Sequence, residues 1–359
     1  MMLAEKQTAP PTPPSASRRL WQWLNLLLAL ALTAVGLWFI GRNVSLADIG
    51  DTLIHARFGY ILLGFFIMLL TIWVKNWRWQ LLLATPTTHP PFGPLFWAMT
   101  LGQYVNLIIP FLRLGEIARI YALHQQTDIS KARALGTLVV EKTLDLIFFA
   151  ATLIILLPLV VLPDFVGNPS TLVGTIALFL LLVLYLLAYQ TSWVIRTLRW
   201  LFGKLPAAIG QRLLHVAVDG LEGLAALRSP RLSLLLVGSS IMVALLAAIL
   251  PAILFPAFGL PFGLLEGALM HVVVSVVTTP PSTPAKIGVF NSAAALLLLS
   301  LNAPNEAAVI GYSIAFHLVV MLPQIILGSI AATRTRWRWP TTLKSSTSGD
   351  IKSSTSDRS

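Results

Sequence analysis

In the stretch FLRLGEIARIYAL, Phe111 to Leu123, the charged residues Arg113, Glu116 and Arg119 follow one another at intervals of three. On a helix this spacing brings each neighbouring pair onto adjacent surface. A carboxylate between two guanidinium groups can close an internal charge triad. It can also leave one arginine to grip a phosphate through two parallel hydrogen bonds. The same three charges could instead sit at a membrane interface and orient their helix. A second group, Glu141 and Asp145 in VVEKTLDLIFF, stands four apart at the start of an apolar run. Carboxylates there cost free energy unless paired or wet. They can form an internal ion pair with Arg113 or Arg119, a proton-coupling site, or a catalytic carboxylate pair. The third candidate is Lys286 in TPPSTPAKIGVFN, where every other basic residue lies at or before Arg231 or at or after Arg334. A lysine at bilayer depth costs about 2.5–3.5 kcal/mol on insertion scales. It therefore lines a polar cavity and meets an anionic headgroup, or it sits in a loop and touches water. Backbone N–H groups freed where a helix restarts at Gly288 would add to an anion site.

His271 and His317 lie inside apolar windows, where neutral imidazoles bonded to neighbouring helices account for them. A metal pair would lack a carboxylate at ligand spacing. No phosphate-binding loop, nucleotide glycine motif, G-x-S-x-G or H-E-x-x-H is present. No cofactor is therefore expected, and an ATP-driven pump within this chain is not.

The elements that must position these residues belong to a membrane. Of 359 residues, 56% are hydrophobic and 11% charged, and the mean hydropathy is +0.80. Soluble domains carry about 25% charged residues. The net charge of +11 comes from basic residues gathered at the ends of apolar segments, which suits topology determinants rather than nucleic-acid binding. With no cysteine, disulfides and thiolate chemistry are excluded. The Pro-, Ser- and Thr-rich ends, residues 1–17 and 340–359, are expected to be disordered, and residues 18–339 to form one membrane domain. The first apolar run, Leu20 to Ile40, reads as a retained helix rather than a cleaved signal.

All 25 basic residues except Arg42, Arg57 and Lys286 fall in five segments: the N-terminus, Lys75 to Arg78, Arg113 to Lys142, Ile195 to Arg231, and the stretch from Arg334. All 11 tryptophans except Trp38 and Trp97 lie beside those segments. This predicts cytoplasmic basic segments, an aromatic belt at the inner interface and cytoplasmic termini. The count then forces two oddities. Lys75–Arg78 and Arg113–Lys142 fall on one side, yet the apolar run Leu95 to Leu112 lies between them. That run must enter and return, and Gly102, Asn106 and Pro110 suit a broken helix. The stretch between the spans beginning near Leu232 and Ala307 must likewise start and finish outside. Within it, Pro280 to Ser300 is either re-entrant or the turn between two full spans. The expected fold is all-α, a polytopic bundle of about six full spans plus two interrupted segments, one opening to each side. Paired broken segments point to a transporter site near the midplane. Between Pro206 and Leu227 an amphipathic helix is expected on the membrane surface or against the bundle ends.

Three motifs give the chain a resemblance to the lysylphosphatidylglycerol synthase transmembrane-region family, also called flippase-like domains. Asn106, Pro110, Leu112-Arg113-Leu114-Gly115-Glu116 and Arg119 resemble N-x-x-x-P-x-R-x-G-E-x-x-R. Val140-Glu141-Lys142 with Asp145 resembles V-E-[RK]-x-x-D. Pro281 to Phe290 resembles P-S-T-P-G-x-[IV]-G-V-F, with Ala285 where glycine is usual and Asn291 near a position where many relatives carry Glu. The resemblance implies a bacterial-type plasma-membrane protein that moves lipid across the bilayer. It also implies that the aminoacyl-transfer step is not made by this domain. The expected substrate-binding set is Asn106, Arg113, Glu116, Arg119, Glu141, Asp145, Lys286 and Asn291, with an anionic headgroup or lipid-linked substrate as ligand. Arg113, Arg119 and Lys286 would neutralise phosphate; Glu116, Glu141 and Asp145 would hold the arginines or a cationic moiety. The alternatives are a transferase on a lipid-linked substrate with Glu141 or Asp145 as base, and a non-transporting partner of a glycosyltransferase or synthase.

Overall fold

The computed structural model describes residues 46–84, 90–109, 114–156, 191–202, 229–279 and 283–335, with isolated positions at 178, 211, 214 and 218. The termini, the run Leu20 to Ile40, most of the expected span before Ile195, the connector to Leu227 and Arg113 lie outside them. Ten α-helices and no strand are found among the described residues. They are α1 Leu46–Ile54, α2 Phe58–Leu83, α3 Phe92–Ile108, α4 Leu114–Gln126, α5 Lys131–Leu156, α6 Thr191–Phe202, α7 Pro230–Leu254, α8 Leu264–Val277, α9 Val289–Ser300 and α10 Glu306–Arg334.

Three of these are long and apolar enough to cross a bilayer: α2, α7 with the 3₁₀ turn that extends it to Phe258, and α10. Their ends follow local chemistry. Pro230 takes the first turn of α7, where its missing N–H costs nothing. The Asn305 side chain accepts from Ala308 N at 3.1 Å and caps α10. The outer surface is apolar, with Phe66, Leu70, Leu234, Leu245, Leu318 and Ile326 exposed, as hydrocarbon solvent requires. On α6, Trp193 and Trp200 stand exposed among Arg196 and Arg199, a pattern suited to the interface.

Two hydrophobic clusters divide the bundle. One packs the end of α2 with α3, α4 and α5, and the other packs α7, its 3₁₀ extension, α8, α9 and α10. Each contains one interrupted segment. In the first, α3 and α4 fold back on each other and touch backbone to backbone: a Cβ on Gly102 would stand 2.7 Å from the Gly115 carbonyl oxygen. In the second, α8 and α9 are joined through a 3₁₀ turn at Pro284–Lys286. Ala285, Lys286 and Gly288 there have φ of 53°, 57° and 83°. A left-handed residue with a Cβ costs roughly 1–2 kcal/mol. The glycine usual at position 285 in the resembling family is thus the residue this backbone prefers. Ala285→Gly should stabilise the protein by about 0.5–1 kcal/mol after the glycine's own entropy cost, read as a higher midpoint of thermal unfolding in detergent.

Lys75 to Arg78, expected as one of the basic segments that set topology, lies within α2, which runs on to Leu83, and Arg78 is 1% exposed. The added turns pack against α5 and α7 and bring two cations into the bundle.

Candidate functional site

Between the two clusters lie two polar cavities that share a wall. The smaller, about 210 Å³, is bounded by α2, α3, α4 and α5 and lined by Lys75, Glu116, Arg119, Glu141, Lys142 and Asp145 among others. The larger, about 370 Å³, is bounded by α2, α3, α7, α8, α9 and α10 and lined by Lys75, His271, Ser275, Thr278 and Lys286 beside apolar residues such as Leu246, Phe290 and Phe316. Met68, Thr71, Lys75, Gln103, Asn106 and Gln324 line both. The two cavities therefore adjoin, one against each interrupted segment, with α2, α3 and α10 contributing the residues between them.

In the smaller cavity the charges are organised as pairs. Arg119 donates through Nη1 to Glu141 Oε1 at 3.1 Å and through Nη2 to Oε2 at 2.7 Å. Its guanidinium lies over the Trp79 ring at 3.5 Å, and Trp79 Nε1 donates to Thr137 Oγ1 at 3.1 Å. Both members are buried, at 6% and 4% exposure. The planar fork is matched to one carboxylate and stacked on an indole, while its Nε finds no partner among the described residues. Arg119 thus anchors α4 to α5 at the wall of the smaller cavity. Arg78 donates to Asp145 Oδ1 at 2.5 Å and to Ser240 Oγ at 3.3 Å, tying α2 to α5 and α7. Glu116 accepts from Asn106 Nδ2 at 3.2 Å, with Lys142 Nζ 3.9 Å from its other oxygen. Asn106 also accepts from Gly115 N at 2.8 Å. It therefore clips the α3–α4 hairpin close to the point where Gly102 and Gly115 meet.

In the larger cavity Lys286 donates to Thr278 Oγ1 at 3.2 Å. The turn carrying it is held from α10: His317 Nε2 lies 2.9 Å from the Ala285 carbonyl oxygen and Nδ1 lies 2.9 Å from Asn291 Oδ1. Asn291 Nδ2 donates to the Ser313 carbonyl at 3.1 Å, and the His317 ring stacks on Phe290 at 4.7 Å. Asn291 lines neither cavity and braces the turn instead.

Of the eight residues expected to bind substrate, Asn106, Glu116, Arg119, Glu141 and Asp145 come together in the smaller cavity, and Lys286 lines the larger one. Arg113 lies outside the described residues. The sequence reading missed Lys75, Gln103, Gln324 and Thr278. A signal for Lys75 was present: no proline or glycine interrupts the chain between Gly64 and Pro86, so a helix begun at Phe58 should run on past it.

Comparison with known proteins bears on this arrangement. Residues 26–328 match the family described as lysylphosphatidylglycerol synthase TM region. A UPF0104 membrane protein of Methanocaldococcus jannaschii is 28% identical over 168 residues, 46% of this chain and 48% of that protein. The chain thus spans about half the length of this curated relative.

Proposed function

The chain belongs to the lysylphosphatidylglycerol synthase TM region family of multi-pass membrane proteins, and from that membership we propose that it is a lipid translocase whose polar passage carries an anionic headgroup while the tails stay in lipid. The observation that carries this reading is the adjacency of the two cavities, which lie against the two interrupted segments and share six lining residues. Helix lengths support it. At 14 and 12 residues, α8 and α9 reach about 21 and 18 Å, short of the roughly 30 Å hydrocarbon core. The pair then enters and leaves on one face, as does the α3–α4 hairpin on the other. The charge pattern sets those faces, with basic segments and termini in the cytoplasm of a cell whose plasma membrane holds the protein.

Transport is favoured over a transferase reading by the state of the candidate bases. Glu141 and Asp145 are each occupied by an arginine. In each, an oxygen that a base would offer to substrate already accepts from a guanidinium.

The test is headgroup movement in vesicles containing the purified protein and a fluorescent anionic phospholipid, read by quenching from outside. Gln324→Trp places a large ring at the neck shared by both cavities. Translocation should fall by at least about tenfold with the melting temperature unchanged. Full translocation with the neck filled would remove the passage from the mechanism.

A further inference from the structure

We propose that His271 and Ser275, on the α8 wall of the larger cavity, read hydroxyl groups on the headgroup, so that the lipid carried is a phosphodiester bearing a polyol or a sugar. This rests on the headgroup-site reading above and names the chemistry of its ligand.

The first argument is placement. His271 and Ser275 stand at i and i+4 of α8 and so share one face of that helix. Between Gly267 and Val277 every other side chain of α8 is apolar. Both polar side chains line the larger cavity, and Thr278 continues the stripe at the end of the helix.

The second argument is availability. Neither His271 nor the Ser275 hydroxyl makes a hydrogen bond or an ion pair among the described residues. The Thr278 hydroxyl, by contrast, accepts from Lys286 at 3.2 Å, so it is left out of the reading. A polar side chain among apolar neighbours costs free energy until something bonds it. Water can do so in an empty cavity. A ligand that displaces this water binds well only if it reproduces the same hydrogen bonds.

The third argument is the match of donors and acceptors. A neutral imidazole offers one N–H donor and one lone pair, and a serine hydroxyl offers both roles at one oxygen. An alcohol also gives and takes hydrogen bonds at one oxygen, so it uses such a pair in full. A phosphate diester only accepts, and an ammonium only donates. Gln103, from α3, adds an amide that does both, again without a partner among the described residues. No carboxylate lines this cavity to receive an ammonium headgroup. Lys75, from α2, supplies charge for the phosphate itself.

The test is equilibrium binding of tail-labelled phosphatidylglycerol, phosphatidylinositol and phosphatidylethanol to the full chain in phosphatidylcholine nanodiscs. All three are anionic phosphodiesters of equal charge, and phosphatidylethanol lacks headgroup hydroxyls. The wild type should hold one or both hydroxylated lipids about tenfold more tightly than phosphatidylethanol, the size of one well-made hydrogen bond. His271→Leu should erase that preference and leave phosphatidylethanol binding as it was. His271→Gln, which keeps a donor and an acceptor, should retain the preference. Ser275→Ala should reduce it with the unfolding midpoint unchanged, which keeps the test open if His271→Leu fails to fold. Lys75→Gln should weaken all three lipids alike. Tighter binding of phosphatidylinositol than of phosphatidylglycerol would assign a sugar-like ring; the reverse, or equality, would assign an open polyol. The proposal is overturned if the wild type holds all three lipids equally, if His271→Leu weakens all three by the same factor, or if His271→Leu and Ser275→Ala both keep the preference. In each of these cases a loss of binding in Lys75→Gln leaves the headgroup site standing. If none of the three lipids binds the wild type, the headgroup site falls and this inference falls with it.

Discussion

Glu141→Ala is expected to destabilise the protein by about 3–5 kcal/mol, because it strands the Arg119 guanidinium in the bundle without its carboxylate. The pair is bidentate, buried and stacked on Trp79, so neither water nor another carboxylate can readily substitute. Arg119→Ala should cost a similar amount, since it leaves the buried Glu141 without its bidentate partner. The double replacement Arg119→Leu with Glu141→Leu should cost markedly less than the two single losses combined, because it removes both desolvated charges together. Chemical unfolding of the four proteins in detergent measures this. A double mutant whose loss equals the sum of the singles would mean that the two side chains do not act as a pair.

The second large effect is at the crossing of α3 and α4. Gly115→Ala should destabilise by about 3 kcal/mol, at the upper end of overpacking costs. A Cβ there would overlap the Gly102 carbonyl oxygen and the Asn106 side chain, and backbone has no rotamer with which to give way. Parting the helices also breaks the Asn106 contacts to Gly115 and Glu116. Both helices wall the smaller cavity, so headgroup translocation should drop along with stability. Gly59→Ala, with open space around it, is the control and should change neither. Equal stability of the Gly115 and Gly59 variants would show that the hairpin is not packed as described.

How much of this the sequence carried depends on the kind of constraint. Glu141 had to be paired, because an apolar run cannot hold a bare carboxylate, and Arg119 was one of its two expected partners. Which arginine it took depends on how α4 lies against α5, and sequence spacing does not encode that. Asp145 was assigned the same two partners, yet it binds Arg78. Arg78 and Lys75 figured in the sequence only as topology-setting charges, although no helix breaker between Gly64 and Pro86 keeps them out of α2. A return after Leu95 to Leu112 was legible from the charge count, but that stretch does not itself turn: one helix runs through Gly102 and Asn106 to Ile108, and the chain comes back along it as α4. Asn291 was placed in the binding set through the family motif; its side chain instead faces α10 and holds His317. The alanine at 285 was visible as a departure from the motif; its left-handed conformation is set by the turn and the His317 contact, which spacing does not encode.

The most direct test of the central claim uses the absence of native cysteine. A single cysteine at Gln103, which lines both cavities, is modified with a bulky thiol reagent in vesicles containing the reconstituted protein. Headgroup translocation is then measured before and after modification. If the passage between the interrupted segments is the route, translocation stops once labelling is complete and returns when a reducible adduct is removed. Unchanged translocation at full labelling would contradict the account.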